Sequence, residues 1–86
     1  MKNLTLTPNA IEDLNYWAKK NPKILKHIFK LFKDISKHPN EGIGKPEQLK
    51  FDLKGCWSRR ISLEHRVVYR IMKDEIQILA CRYHYK

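Results

Sequence analysis

The side chains that could carry chemistry lie in the second half of the chain: Glu47, Lys50, Arg60, Arg66, His84 and Tyr85. Together they contain what RNA cleavage needs when no metal takes part. The ribose 2′-hydroxyl attacks the adjacent phosphorus as a base accepts its proton, an acid protonates the departing 5′ oxygen, and cations stabilise the crowded phosphorane. A carboxylate or imidazole suits the base, an imidazolium or phenol the acid, and arginine or lysine the charge stabiliser. The four histidines (His27, His38, His65, His84) and two cysteines (Cys56, Cys81) show no metal-ligand spacing, so neither a metal nor a cofactor is expected. Taken singly, the same residues have plain structural readings. His84 suits a solvated chain end, Glu47 can cap a turn, and Tyr83 and Tyr85 can be core or edge aromatics.

Eighteen Lys and Arg against nine Asp and Glu give a formal net charge of +9 over 86 residues. A polyanion is the natural partner of so positive a body, with steered and salt-sensitive association. A membrane surface or an acidic protein remains open. The length supports one domain over residues 1–86 with one modest core. The start Met1, Lys2, Asn3, Leu4 is followed by no apolar h-region, and no stretch approaches a membrane span, so a cytoplasmic protein with no membrane partner is expected. Cys56 and Cys81 are expected as reduced, buried thiols.

These residues must be positioned by elements whose period changes once, near residue 40. "NLTLTP" alternates as a short strand, and Thr7 before Pro8 reads as an N-cap with proline at the first helical position. Ile11, Leu14, Trp17 and Ala18 predict the apolar stripe of this helix, which ends at Asn21 because the residue before Pro22 is pushed from the helical region. Asn21 then caps a second helix. Its stripe is Ile24, Leu25, Ile28, Leu31, Phe32 and Ile35, and His38 and Pro39 end it. Its other face carries Lys23, Lys26, Lys30, Lys33 and Lys37, a solvated face or a phosphate contact.

"NEGIGKP" is a glycine-punctuated loop leading to Glu47. After it the period becomes two. Strands are predicted over 56–62, 66–71 and 76–84, the last two joined by the tight connection "MKDE". The expected architecture is α+β: two N-terminal helices packed on one face of a curved antiparallel sheet of four to five strands. Alternation places Trp57, Arg59 and Ile61 on one face and Ser58, Arg60 and Ser62 on the other. If the helices cover Val67, Tyr69 and Ile71, then Arg66, Arg70 and Arg60 stand together on the open face. Such a guanidinium cluster binds phosphate oxygens bidentately, or it pairs with Glu64, Asp52 or Glu47 as surface ion pairs.

At "GIGKPEQLK", "GCWSRRIS", "EHRVVYRI" and "ACRYHY", and at "NYW" in the first helix, the sequence resembles the YoeB/Txe toxins of the RelE superfamily. The resemblance runs along nearly the whole chain and implies the RelE-like microbial RNase fold. It implies the toxin of a type II toxin–antitoxin pair, a ribosome-dependent endonuclease that cuts messenger RNA in the ribosomal A site and arrests translation. Carried over by motif, Glu47 of "KPE" is the general base, Arg66 of "EHR" the phosphorane stabiliser and His84 of "YHY" the general acid beside Tyr85. Lys50, Arg60 and Glu64 match supporting positions, and Arg59 is counted with them as RNA-binding. The resemblance also implies homodimers, and a YefM-like antitoxin whose disordered C-terminal segment wraps the toxin. Members typically end on the tyrosine, whereas Lys86 follows here. The alternative is a non-catalytic toxin on the same scaffold, such as a ParE-like inhibitor, or a basic ribosome-binding protein.

Overall fold

Proline chemistry at three points along the N-terminal half sets the boundaries of the helices. The computed structural model describes residues 1–83; His84, Tyr85 and Lys86 lie outside the described residues. Strand β1 (Asn3–Leu6) leads directly into helix α1 (Pro8–Lys20), and helix α2 (Pro22–Lys37) follows after one residue. Thr7 caps α1 as predicted, its Oγ1 accepting the Ala10 N–H at 3.1 Å and donating to the Leu79 carbonyl at 3.0 Å. The cap therefore also ties the helix start to the sheet. Asn21 occupies the predicted cap of α2, but its side chain makes no capping bond. Its backbone N–H instead closes α1 on the Trp17 carbonyl at 2.8 Å.

The remaining elements are strand β2 (Glu47–Gln48), a 3₁₀ turn (Phe51–Leu53), and strands β3 (Cys56–Arg60), β4 (Arg66–Ile71) and β5 (Glu75–Ala80). They form one five-stranded sheet in the order β1-β5-β4-β3-β2. The α+β architecture with both helices on one face is the expected one. The sheet is mixed, however: β2–β3, β3–β4 and β4–β5 are antiparallel and β1–β5 is parallel. No hairpin links β1 to β5, so nothing local imposes an antiparallel direction on that pair.

Ile28, Leu31 and Ile35 of α2 meet Val67 and Tyr69 of β4 and Ile76 and Ile78 of β5 in the core, with Ala10 and Trp17 of α1. The α1 stripe differs from the predicted one. Ile11 is 47% exposed, Ala18 is exposed too, and the inward face is Ala10, Asp13, Leu14 and Trp17. Asp13 can sit there because its Oδ2 accepts the buried Cys81 N–H at 2.9 Å. Both cysteines are free and buried. Among the described residues no helix is long and apolar enough to cross a membrane.

Two predicted strands end early. β3 stops at Arg60 because the N–H groups of Ile61 and Ser62 both turn onto the His65 carbonyl, at 2.8 and 3.2 Å. β5 stops at Ala80 because the Cys81 N–H goes to Asp13 and its carbonyl to Trp17 Nε1, 2.8 Å away. Residues 81–83 therefore lie beyond the sheet.

Candidate functional site

The sheet face turned away from the helices gathers charge. Pairing sets Glu47 opposite Ser58, Ser58 opposite Val68, Arg60 opposite Arg66, and Cys56 opposite Arg70. Alternation then puts Glu47, Ser58, Arg60, Arg66 and Arg70 on one surface, as the period-two pattern predicts for the arginines. The Arg66 side chain is largely enclosed, 17% exposed. Its Nη1 donates to Ser58 Oγ at 3.3 Å and stands 3.9 Å from Glu47 Oε1. The Glu47 side chain is 65% exposed, so its carboxylate faces solvent with one oxygen near the arginine. Arg60 and Arg70 are exposed, and Arg70 Nη2 lies 3.6 Å from Cys56 Sγ. Lys50 is exposed just beyond β2.

Arg59 stands apart from this surface. It points into the helix-covered side and is fully buried. Its Nε donates to Tyr69 Oη, Nη1 pairs with Asp34 and donates to the Ile43 carbonyl, and Nη2 donates to the carbonyls of His38 and Glu41. A guanidinium with its whole donor fork engaged inside the protein offers nothing to RNA. It holds the loop between α2 and β2. Gly42 belongs to the same arrangement: its φ is +124°, and a Cβ there would lie 2.0 Å from Asp34 Oδ2. The loop passes so close to the ion pair that only glycine fits. Gly44 then accepts the Arg60 N–H at 2.6 Å, and the chain enters β2 at Glu47.

Burial alone would raise the Asp34 carboxyl pKa, but the hydrogen bonds from Arg59 and from the Ile43 N–H outweigh it and hold the pKa below the ordinary value. A depressed acid stabilises the fold above its unfolded pKa, and that contribution is lost as pH falls through the folded value. Acidification below about pH 4 is therefore expected to lower the melting temperature more in the native chain than in Asp34→Asn, measured by circular dichroism. A native slope no steeper than that of Asp34→Asn would refute the coupling. Asp13 works in the opposite sense, since burial raises its pKa despite the Cys81 N–H, and its protonation favours the fold.

Glu64 lies on the loop between β3 and β4 with its side chain 70% exposed and Oε1 3.7 Å from His65 Nε2. The Ser62 hydroxyl accepts the N–H groups of Glu64 and His65 at 3.4 and 3.2 Å, which shapes this loop. His65 packs edge-on against Trp17, with ring centroids 4.8 Å apart, and its Nδ1 accepts the Tyr83 N–H at 2.8 Å. The Tyr83 carbonyl in turn accepts the Arg66 N–H at 3.2 Å. The last described residue is thus fastened beside Arg66. The expected acid His84 and its neighbour Tyr85 lie outside the described residues.

Sequence spacing thus groups Arg60, Arg66 and Arg70 on the open face and sets Arg59 on the other, but the expectation that Arg59 binds RNA does not hold, because its guanidinium is buried. It also passes over Asp13 and His65. One sign for Asp13 was present, an acid in helical register with Ala10, Leu14 and Trp17. Nothing local marks His65. Among the described residues no group of three or more His, Cys, Asp or Glu side chains is arranged to hold a metal ion.

Residues 6–85 match the family of YoeB-like toxins of bacterial type II toxin–antitoxin systems. Toxin YoeB of Escherichia coli K12 is 51% identical over 74 residues, 86% of this chain and 88% of that one. The chain superposes on the YoeB dimer structure from Staphylococcus aureus with a TM-score of 0.89 at 46% identity, over 98% of each chain. For the YoeB–YefM complex from the same organism the TM-score is 0.87 at 46% identity, over 99% of each chain.

Proposed function

The chain belongs to the YoeB-like toxins of bacterial type II toxin–antitoxin systems, and from that premise we propose that it is a metal-independent endoribonuclease that cuts messenger RNA in the ribosomal A site. The observation that carries this reading is the arginine and carboxylate pair on the open sheet face, Arg66 Nη1 lying 3.9 Å from Glu47 Oε1 with Arg60 directly opposite Arg66. Glu47, exposed and close to a fixed cation, is suited to accept the 2′-hydroxyl proton as that oxygen attacks phosphorus. The Arg66 fork, oriented by Ser58, meets the charge that builds on the equatorial oxygens. His84 gives its proton to the departing 5′ oxygen, with Tyr85 beside it, and Lys50 and Arg60 hold the flanking phosphates. The P–O5′ bond breaks as the 2′-O–P bond forms, leaving a 2′,3′-cyclic phosphate on one product and a 5′-hydroxyl on the other.

Partners follow the same reading. The chain acts on ribosome-bound message in the cytoplasm, forms a homodimer, and is neutralised by a YefM-like antitoxin. Support comes from the S. aureus relatives, one solved as a dimer and one in complex with YefM.

Primer extension on messages from translating ribosomes tests the activity. New 5′ ends are expected near the start of the reading frame. A message carrying a single 2′-deoxy nucleotide on the 5′ side of the cut is expected to stay whole there, because its nucleophile is missing. Cleavage at the deoxy position would refute 2′-hydroxyl attack, and translational arrest without any new ends would favour an inhibitor that blocks without cutting.

A further inference from the structure

Beyond Ala80 the chain has left the sheet, and a terminal segment with nothing to hold it frays. Here side chains from two other elements take its backbone groups in turn. Asp13 Oδ2 accepts the Cys81 N–H at 2.9 Å, and Trp17 Nε1 donates to the Cys81 carbonyl at 2.8 Å. The Arg82 guanidinium lies over the Tyr16 ring, 3.5 Å from its centroid. His65 Nδ1 accepts the Tyr83 N–H at 2.8 Å. Tyr83 has φ +64°, a left-handed conformation that a residue with a Cβ keeps only when its surroundings over-determine it.

We propose that His65 is a positioning residue for RNA cleavage: its neutral imidazole, Nδ1 turned to the Tyr83 amide, fixes the left-handed turn from which the chain continues into His84. This rests on the reading of His84 as the general acid. An imidazole that accepts a peptide N–H at Nδ1 carries its proton on Nε2, and Nε2 faces Glu64 Oε1 at 3.7 Å. Two contacts therefore set the ring: the Tyr83 N–H at Nδ1, and the Trp17 ring packed against it at an interplanar angle of 86°. The Arg66 N–H completes the turn on the Tyr83 carbonyl, so the segment that leads to the acid and the residue that stabilises the phosphorane share one hydrogen bond.

Two substitutions in the full chain separate this role from simple packing. His65→Leu fills the space without an acceptor, and His65→Asn keeps an oxygen near the place of Nδ1. In single-turnover cleavage of ribosome-bound message, His65→Leu is expected to slow the maximal rate roughly 10- to 100-fold, the loss typical of a misplaced catalytic group. The toxin concentration at half-saturation should stay the same. His65→Asn is expected to recover most of that rate. Amide hydrogen exchange read by NMR gives a measure independent of catalysis: the Tyr83 N–H should be protected in the native chain and in His65→Asn, and should exchange fast in His65→Leu. Unchanged Tyr83 exchange in His65→Leu would overturn the proposal, as would fast exchange with an unchanged cleavage rate, or failure of His65→Asn to recover either quantity. If the native chain does not cut RNA, it is the nuclease reading that fails and with it the catalytic meaning of the turn, while the exchange data still report whether His65 holds Tyr83.

Discussion

Glu47→Ala and His84→Ala are each expected to slow message cleavage on the order of 100- to 10,000-fold while leaving ribosome association intact, the loss typical of one member of a general acid–base pair. Glu47→Gln sharpens the test. Its carboxamide keeps the length and one oxygen that can face Arg66 Nη1, now 3.9 Å from the carboxylate. If Glu47 only steadied Arg66, glutamine would serve nearly as well. A base must take a proton, which an amide does not do at neutral pH, so Glu47→Gln should be almost as slow as Glu47→Ala. The double substitution of Glu47 and His84 should lose little beyond the slower single variant, because groups that act in one step are strongly non-additive. The measurement is the appearance of new message ends by primer extension under single-turnover conditions. Full translational arrest by both single variants without new ends would refute the nuclease and leave a binding inhibitor.

How much of this was legible in the sequence depended on how local the cause was. The helix boundaries at Thr7–Pro8, Asn21–Pro22 and His38–Pro39 were readable because proline acts on its own φ and on the residue before it. The shared face of Arg60, Arg66 and Arg70 was readable because alternation needs only the strand itself. Most of what was not legible involved a partner distant in sequence. Nothing near Asp13 marks it as buried, because its partner, the Cys81 N–H, is 68 residues away. The expected antiparallel direction of β1 is wrong because its direction is set by β5, from which the rest of the chain separates it. His65 was one histidine of four, with nothing nearby to show that a backbone amide 18 residues on would come to its Nδ1. Arg59 and Arg60 are neighbours of the same type, and parity separated their faces correctly. It did not show that a whole arginine could be buried, because its acceptors are carbonyls of a loop that has no period.

That burial makes Arg59 the position where a change should do most to the fold, and Arg59→Met is expected to destabilise the protein by about 3–5 kcal/mol. The methionine keeps the aliphatic stem and removes the head group. Asp34 then loses its ion pair, and the carbonyls of His38, Glu41 and Ile43 lose their donor. Small domains hold about 5–15 kcal/mol in total, so the variant should sit near the edge of stability. Arg59→Lys should recover only part, since a single ammonium with three donors cannot reproduce a planar fork that serves Tyr69, Asp34 and three carbonyls. Adding Asp34→Asn to Arg59→Met should cost less than the two separate losses combined, because the carboxylate no longer stands uncompensated. Urea denaturation supplies the measurement. It also discriminates between the two roles open to this arginine, because a residue whose head group bound phosphate would leave the unfolding midpoint unmoved and reduce the salt slope of RNA binding by about one. A midpoint unchanged in Arg59→Met would therefore return Arg59 to the RNA surface. A large fall, with cleavage persisting at temperatures where the variant stays folded but at a reduced rate, would fit a residue that serves the reaction only by holding the loop that carries Glu47.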